Sequence, residues 1–255
     1  MRTPAAVLLS ALALAASPAL AQNEPKKEAP ATTAAEEGVT VLFDGTSGDN
    51  FRGYRKDKLP DGWEVADGAL HFKKGSGAGD IITKEQFENF ELTFEWKISE
   101  GGNSGIMYHV KELDGPPYLT GPEYQILDNT KHNDGKKPET SAASCYALYA
   151  CSEDATKPVG EWNESKLVVN NNHVEHWLNG KKVVEYTIGS DDWNKRIAAS
   201  KFKDWKEFGK HSKGHIAFQD HGDDVWYKNI KVKNLDAKAA PKKEEAVKPT
   251  APVGS

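Results

Sequence analysis

Apolar and polar residues alternate one by one in several short runs between residues 39 and 236, and turn-forming residues separate these runs. The clearest example is F-E-L-T-F-E-W-K-I at 90–98. Successive side chains of a strand point to opposite faces, so this period of two is typical of strands with one buried face. Asp67-Gly68 and Asn179-Gly180 lie between such runs and predict hairpin turns.

The pattern as a whole predicts an all-β domain built as a β-sandwich of two sheets, because many short strands alternate with turn signals. Only the stretch 193–208, W-N-K-R-I-A-A-S-K-F-K-D-W-K-E-F, indicates a short helix within a crossing segment. The predicted strands, with the two hairpins at 63–72 and 173–186, span residues 39–44, 63–72, 81–83, 90–98, 104–110, 121–128, 143–151, 166–170, 173–179, 182–186, 214–218 and 225–232.

The strand at 121–128, G-P-E-Y-Q-I-L-D, combines an apolar face with a polar one. Tyr124 and Ile126 fall on one side, whereas Glu123 and Gln125 fall on the other. The first face can pack on a core, and the second places a carboxylate beside an amide. A β-sandwich can bind a sugar across such a polar outer face, although an edge strand with solvated polar residues fits the same pattern.

Further polar and aromatic residues recur where predicted strands meet turns. They are Asn103, His109, Asp128, Trp162, Gln219, Asp220 and His221. Carboxylates and imidazoles can transfer protons, and amides can hydrogen-bond to sugar hydroxyls. Each also has a structural explanation, such as a core position for Trp162 or a hydrogen-bonded surface position for His109. Two histidines and two carboxylates could also hold a divalent cation.

Both ends of the chain differ from the predicted domain at 39–236. Residues 1–21 have a positive start, an apolar run and A-L-A before Gln22, and we interpret them as a signal peptide. Residues 22–38 and 237–255 are rich in Ala, Lys, Glu and Pro, and we interpret them as a disordered linker and tail. We therefore expect an exported protein, periplasmic or secreted.

Charge and cysteine content limit the remaining possibilities. The net charge of −5 is spread over both signs without a basic stripe, which argues against a nucleic-acid partner. After residue 21 no apolar run approaches the roughly 20 residues that a membrane-spanning helix needs. Cys145 and Cys151 could form a disulfide in an exported protein or remain buried thiols, and the sequence leaves both open. Zinc-site spacings are absent from the sequence.

A series of motifs across residues 39–235 resembles the 3-keto-disaccharide hydrolase domain family. The motifs are V-L-F-D-G, W-E-V-A-D-G-A-L, G-N-S-G-I-M-Y-H, G-P-E-Y-Q-I-L-D, G-E-W-N, W-L-N-G, G-H-I-A-F-Q-D-H-G and W-Y-K-N-I-K-V. The resemblance implies a concanavalin A-like jelly roll of the laminarinase type. It differs at His109, where many relatives carry Arg, and at Phe218, where they carry Leu.

The resemblance also implies a carbohydrate substrate, a glycoside already oxidised at C3 of the sugar. A ketone at C3 acidifies the C2 proton, so a base can remove it and the aglycone leaves C1 by β-elimination. We expect Glu123 and His221 to divide the roles of base and acid. Asn103, His109, Gln125, Asp128, Trp162, Gln219 and Asp220 are the predicted substrate-binding residues.

Two other functions fit the sequence. Glu123-x-Gln125-x-x-Asp128 has the spacing of the E-x-D-x-x-E motif of laminarinase-like enzymes, which would make the protein a retaining β-glucanase with Glu123 as nucleophile and Asp128 as acid/base. The seven tryptophans could instead supply stacking platforms for a non-catalytic carbohydrate-binding module.

Overall fold

The structure is a computed structural model that describes residues 37–236. The predicted signal peptide, almost all of the predicted linker and the predicted tail lie outside the described residues, and they stay predictions. Among the residues described, no helix is both long and apolar enough to cross a membrane.

Thirteen strands, one α-helix and three short 3₁₀ helices make up the described part of the chain. The strands are β1 Val39–Phe43, β2 Phe51–Gly53, β3 Trp63–Ala66, β4 Ala69–Phe72, β5 Ile81–Thr83, β6 Phe90–Ile98, β7 Asn103–Val110, β8 Glu123–Leu127, β9 Asn163–Asn170, β10 His173–Leu178, β11 Lys181–Thr187, β12 His215–Phe218 and β13 Val225–Asn234. The helices are α1 Asp191–Ala199 and the 3₁₀ turns Pro117–Leu119, Asn133–Lys136 and Lys201–Asp204.

The strands form two antiparallel sheets packed as a sandwich, which confirms the predicted all-β fold. The larger sheet has eight strands in the order β11-β10-β9-β6-β13-β4-β3, with β1 also paired to β13. The smaller sheet has five strands in the order β2-β5-β12-β7-β8. The main hydrophobic core lies between them and takes every second side chain of β6, as the sequence pattern predicts.

The five-stranded sheet is buried on both faces, so its strand β7 has no exposed residue. Ile106 and Tyr108 belong to the main core, whereas Met107 and Ala217 belong to a separate small cluster. The second cluster follows from the strand alternation and marks the outer face of this sheet. Part of that face is covered by other segments of the chain, and this cover creates the cavity described below.

A stack of aromatic rings joins the segment around α1 to the larger sheet. Tyr149 stacks on Tyr186 of β11, Tyr186 on Trp193 of α1, Trp193 on Phe208 and Phe208 on Phe202. The centroid distances run from 4.2 to 6.1 Å and the interplanar angles stay at or below 11°. Such pairs add to the energy of burial, so residues 191–208 are held against the sandwich along their length.

The predicted strand at 143–151 was wrong. Ala143 and Ala147 adopt positive φ angles of 66° and 57°, which end extended structure. The chain folds back so that the Cys145 N–H donates to the Tyr149 carbonyl over 3.1 Å. Both cysteines are free thiols, and Cys151 Sγ donates to the Ala142 carbonyl instead.

Ser165 of β9 lies at the centre of a polar network inside the core. Its Oγ accepts a hydrogen bond from Trp96 Nε1 at 2.8 Å and lies 2.8 Å from the Tyr124 hydroxyl. That hydroxyl donates to the Trp177 carbonyl at 3.0 Å, so the Ser165 hydroxyl is left to donate to Tyr124. Every group in this network is therefore satisfied, which is what makes a buried polar cluster tolerable.

Ser165→Ala should destabilise the fold by about 1–3 kcal/mol, because it leaves the buried Trp96 N–H without an acceptor. Chemical denaturation followed by tryptophan fluorescence measures the change. Ser212→Ala is the control, since Ser212 is exposed and should give a change within about 0.5 kcal/mol. Equal stability of Ser165→Ala and the parent would show that the network contributes nothing.

Candidate active site

A cavity of about 340 Å³ opens on the outer face of the five-stranded sheet. Strands β7 and β8 form its floor, and the end of β12 with the residues after it forms one side. The segments 118–121 and 201–208, together with Tyr146, form its cover. The lining residues are Asp80, Asn103, Tyr118, Gly121, Glu123, Gln125, Tyr146, Lys201, Phe202, Trp205, Phe208, Gln219, Asp220 and His221.

Six of the nine predicted site residues lie in this cavity. They are Glu123, His221, Asn103, Gln125, Gln219 and Asp220. The pairing of β7 with β8 and of β7 with β12 brings them together, because it places Asn103 and Gln125 on the same outer face and the end of β12 beside them. The pairing of these strands therefore brings residues that are distant in sequence to one cavity.

The Glu123 carboxyl group lies against the backbone of Gly105, on the neighbouring strand. A β-carbon at Gly105 would collide with Glu123 Oε1, so only glycine leaves room for this side-chain position. The glycine of the G-N-S-G-I-M-Y-H motif therefore shapes the floor of the cavity. The side chain of Glu123 is only partly exposed, and its exposed part faces the cavity.

Burial raises the pKa of Glu123 from 4.5 to about 8. The nearby Lys201 ammonium group acts in the opposite direction, and the carboxylates of Asp80 and Asp134 add to the rise. Burial disfavours the charged form because surrounding protein replaces water. A carboxyl group with a strongly shifted pKa in a cleft is a typical feature of acid–base catalysts.

Two amide oxygens in the cavity wall have no hydrogen-bond donor in the described structure. Asn103 Oδ1 and Gln219 Oε1 are both buried and unpartnered. The amide of Gln125 is held differently, since its Oε1 accepts from the Ile126 N–H at 3.2 Å and its Nε2 approaches the Thr140 carbonyl at 3.4 Å. Buried acceptors without donors are costly, and hydroxyl groups of a bound ligand would satisfy them.

Asp80 and Asp220 form an adjacent pair of carboxylates on one side. The Asp220 N–H donates to Asp80 Oδ1 at 2.7 Å, while the Asp220 carboxylate accepts from the N–H groups of Gly79 and Gly222. Burial raises the pKa of Asp80 to about 6, and the charge of Asp220 adds to this rise. Hydrogen bonds from two backbone N–H groups thus hold the Asp220 carboxylate in place. Asp80 is a further carboxyl group of the cavity, and sequence patterns did not reveal it.

His221 lies at the mouth of the cavity and is exposed to solvent. Its Nε2 is 3.4 Å from Asn103 Nδ2. Glu123 on the floor and His221 at the mouth therefore face the same space from different depths. Glu123 can therefore transfer a proton in a position sheltered from solvent, whereas His221 can do so beside solvent.

The cover supplies the residues that sequence reasoning missed. Its aromatic members are Tyr118, Tyr146, Phe202, Trp205 and Phe208, and its charged member is Lys201. The run K-F-K-D-W-K-E-F at 201–208 is rich in aromatic residues, which was the available signal, but its pattern predicted only a short helix. Loops that return over a sheet have no periodicity that would reveal where they lie.

His109 does not line the cavity, contrary to its predicted role. It is buried with a φ of +56°, and its Nε2 lies 2.9 Å from the Glu88 carbonyl. The register between β7 and β12 shifts at this point, so strict alternation along β7, which would turn His109 to the same face as Asn103, does not hold here. Burial also lowers the pKa of His109, consistent with a neutral structural residue.

Asp128 and Trp162 also lie away from the cavity. The Asp128 carboxylate accepts hydrogen bonds from the Gly101 N–H and from the N–H and hydroxyl of Thr130, at 2.6–2.8 Å. It therefore stabilises the turns at the end of β8. Trp162 packs against two lysines of the larger sheet, Lys97 of β6 and Lys228 of β13. Their ammonium groups lie 5.2 and 4.3 Å from the Trp162 ring centroid.

The predicted divalent cation stays a prediction. In the region that the structure describes, one group of side chains is close enough to share an ion, namely His173, Glu175 and Glu185 on the β10–β11 hairpin. The Lys182 ammonium group already pairs with both of these carboxylates. None of the four residues lines the cavity.

Comparison with protein families matches residues 38–233 to the 3-keto-alpha-glucoside-1,2-lyase-like domain. A 3-keto-disaccharide hydrolase from Bacteroides thetaiotaomicron is 40% identical over 230 aligned residues, covering 78% of this chain and 79% of the relative.

Solved structures of two inferred glycosyl hydrolases from Parabacteroides distasonis share the fold. The first is 36% identical with a TM-score of 0.73, covering 78% of this chain and 95% of the other. The second is 29% identical with a TM-score of 0.61, covering 77% of this chain and 99% of the other.

Glu123→Gln should stabilise the protein at high pH. With a pKa of 4.5 unfolded and about 8 folded, Glu123 stays neutral in both states below pH 4.5. Between pH 4.5 and 8 the unfolded state ionises while the folded state keeps its proton, so stability falls across this window and levels off above pH 8. The variant cannot ionise at this position. It should therefore exceed the parent by at least about 2 kcal/mol at pH 9, with the difference shrinking toward pH 4.5.

Denaturant unfolding of both proteins between pH 4.5 and 9 measures this difference. Glu139→Gln is the matched control, because Glu139 is exposed. A difference between Glu123→Gln and the parent that does not change with pH would show that burial leaves Glu123 unperturbed.

Proposed function

The chain belongs to the 3-keto-alpha-glucoside-1,2-lyase-like domain family, and we propose that it cleaves glycosides whose sugar carries a ketone at C3. Its relatives support the broader function of a carbohydrate hydrolase. The observation that carries the specific reaction is Glu123, a carboxyl group with a pKa of about 8 on the floor of a cavity with unpartnered amide acceptors.

A ketone at C3 makes the reaction accessible to an ordinary side-chain base. Removal of the C2 proton places negative charge on the ketone oxygen as an enolate. The enolate then restores the C=O bond, forms a C1=C2 double bond and expels the aglycone oxygen, which takes up a proton. Water adds its oxygen at C1 and a proton returns to C2. The sum is hydrolysis, with no oxidant or reductant consumed.

Glu123 is the base in this proposal. A carboxylate with a pKa of about 8 is a stronger base than one with the ordinary value of 4.5. Its restrained position against Gly105 fixes it toward the cavity. The same group, once protonated, can return the proton to C2 when water adds, so one residue serves both half-reactions.

His221 is the acid in this proposal. A glycoside that places its oxidised sugar above Glu123 extends its leaving group toward the mouth, where His221 lies. An imidazolium there can protonate the departing oxygen. The unpartnered oxygens of Asn103 and Gln219 would accept hydrogen bonds from the remaining sugar hydroxyls.

The two alternative functions receive less support from the geometry. A retaining glucanase needs two carboxyl groups about 5–5.5 Å apart at one cleft. Glu123 and Asp128 line different cavities, and hydrogen bonds from the turns occupy the Asp128 carboxylate. A binding module would need no carboxyl group with a shifted pKa, although aromatic residues do line the cavity.

We expect the purified protein to release the aglycone from a 3-keto-β- or α-glucoside and to leave the corresponding plain glucoside intact. Only the keto compound has an acidified C2 proton. Reactions in D₂O, followed by mass spectrometry and NMR, should show deuterium at C2 of the released sugar.

Glu123→Gln should lower turnover of the keto substrate by about 10²–10⁴-fold, the usual contribution of a general base. Loss of less than about threefold would remove Glu123 from the mechanism. Release from the plain glucoside would favour the glucanase. Absence of release from both, with and without added divalent cations, would favour the binding module.

The pH profile and the leaving group should separate the two proton-transfer roles. If Glu123 acts as base, kcat/KM for a 4-nitrophenyl 3-keto-glucoside, whose leaving group needs no acid, rises with pH and levels off above about pH 8, because the ionised form is active. His221→Asn should slow a substrate with a sugar leaving group by about 10²-fold or more. A 4-nitrophenyl 3-keto-glucoside should lose far less, since nitrophenolate leaves without a proton. Activity toward the nitrophenyl substrate that instead falls as pH rises through 8 would remove Glu123 from the role of base.

A further inference from the structure

Lys201 contributes the one lysine or arginine side chain among the described residues that line the cavity. It begins the 3₁₀ helix Lys201–Asp204, whose first turn is capped by the Ser200 hydroxyl. Its Nζ lies 4.3 Å from the ring centroid of Tyr146 and 5.9 Å from that of Trp205. Within the part of the chain that the structure describes, it forms no ion pair and donates no hydrogen bond.

The positive charge of Lys201 is opposite in sign to that of the ionised carboxyl groups that line the cavity. Asp80, Asp220 and Glu123 are acidic, and the unpartnered amide oxygens of Asn103 and Gln219 are acceptors. Lys201 belongs to the cover and Glu123 to the floor, and the charge of Lys201 lowers the pKa of Glu123 against the effect of burial. The two groups therefore line one cavity without forming a direct salt bridge.

The proposed reaction creates a need for such a cation. Removal of the C2 proton moves negative charge to the ketone oxygen at C3, and most of the cavity would repel that charge. A positive donor aimed at the position where charge develops stabilises the transition state more than the ground state. Lys201 has three N–H donors and a flexible stem, so it can reach a ligand atom in the cavity.

We propose that Lys201 is the electrophilic catalyst that binds the C3 ketone oxygen and stabilises the enolate. This inference rests on the proposed function. Lys201 keeps its proton throughout and donates a hydrogen bond to O3. The C2 proton passes to Glu123, the C2–H electron pair forms the enolate, and the leaving oxygen takes its proton from His221.

The aromatic cover explains how an unpaired ammonium group is kept in place. Tyr146, Phe202 and Trp205 present their rings to Lys201 Nζ at 4.3–5.9 Å. Cation–π contacts of this kind attract the charge without neutralising it. A carboxylate partner would fix the lysine more strongly but would cancel the field that the enolate requires.

The test replaces Lys201 with Met, which keeps an unbranched side chain that is one heavy atom shorter and removes the charge. We expect Lys201→Met to lower kcat/KM for a 3-keto-disaccharide by about 10²–10³-fold, the effect of removing one donor to a developing oxyanion. Lys201→Arg should retain part of the activity because it keeps a positive donor. Lys203→Met is the matched control, since Lys203 is exposed two residues away in the same helix and does not line the cavity.

Two further measurements separate this role from a structural one. The plain disaccharide, which has a hydroxyl at C3, should inhibit Lys201→Met and the parent with inhibition constants within about threefold, because no negative charge develops on that oxygen. The rising limb of the pH profile should move to higher pH in Lys201→Met, because the variant lacks the cation that lowers the Glu123 pKa.

The outcomes distinguish the two levels of the proposal. A parent enzyme that releases nothing from the 3-keto substrate would overturn the proposed function and this role together. An active parent, with Lys201→Met within threefold of it, would overturn the role of Lys201 alone. Equal loss in Lys201→Met and Lys203→Met, or a large loss of binding of the plain disaccharide in Lys201→Met, would assign the effect to disruption of the cover.

Discussion

The antiparallel pairing of β7 with β8 is the constraint on which the cavity depends. It sets Gly105 beside Gln125 and leaves the space above Gly105 for the Glu123 carboxyl group. A shift of this register by one residue would turn Glu123 toward the core and Tyr124 toward the cavity. Tyr124 resists such a shift, because its hydroxyl is bound within the Ser165 network on the opposite face. The same strand thus fixes the core with one face and the candidate base with the other.

The cover depends on a different kind of interaction. Tyr186 belongs to the larger sheet, and through Trp193 and Phe208 the ring stack connects it to Phe202, next to Lys201. Ring stacking orients flat groups, so the stack positions the 201–208 segment as well as burying apolar surface. The floor of the cavity therefore comes from one sheet, while the position of its cover is tied to the other.

The sequence predicted the sheets and the floor of the cavity more fully than its cover. Alternation along β6 and β8 decides which residues face the core, and neighbouring strands then bring Asn103, Glu123 and Gln125 together. His109 was predicted to bind substrate, but a bulge at this point of β7 turns it away from the cavity, and alternation does not report such a local event. Asp128 and Lys201 show a second limit of prediction from the sequence. Whether a carboxylate caps a turn or a lysine reaches a cavity depends on the path of the loops, which a period of two does not describe.

The buried acidic groups of the cavity have a cost that only a ligand or a reaction justifies. Folding holds Glu123 and Asp80 where their ionised forms are disfavoured, and it leaves the Asn103 and Gln219 oxygens without donors. Each of these features lowers stability relative to a cavity filled with apolar side chains. The Ser165 network in the core, by contrast, satisfies each of its own polar groups. Because Asn103 Oδ1 and Gln219 Oε1 line the same cavity as two carboxyl groups of raised pKa, this combination fits the proposed binding of a hydroxylated substrate that develops charge as it reacts.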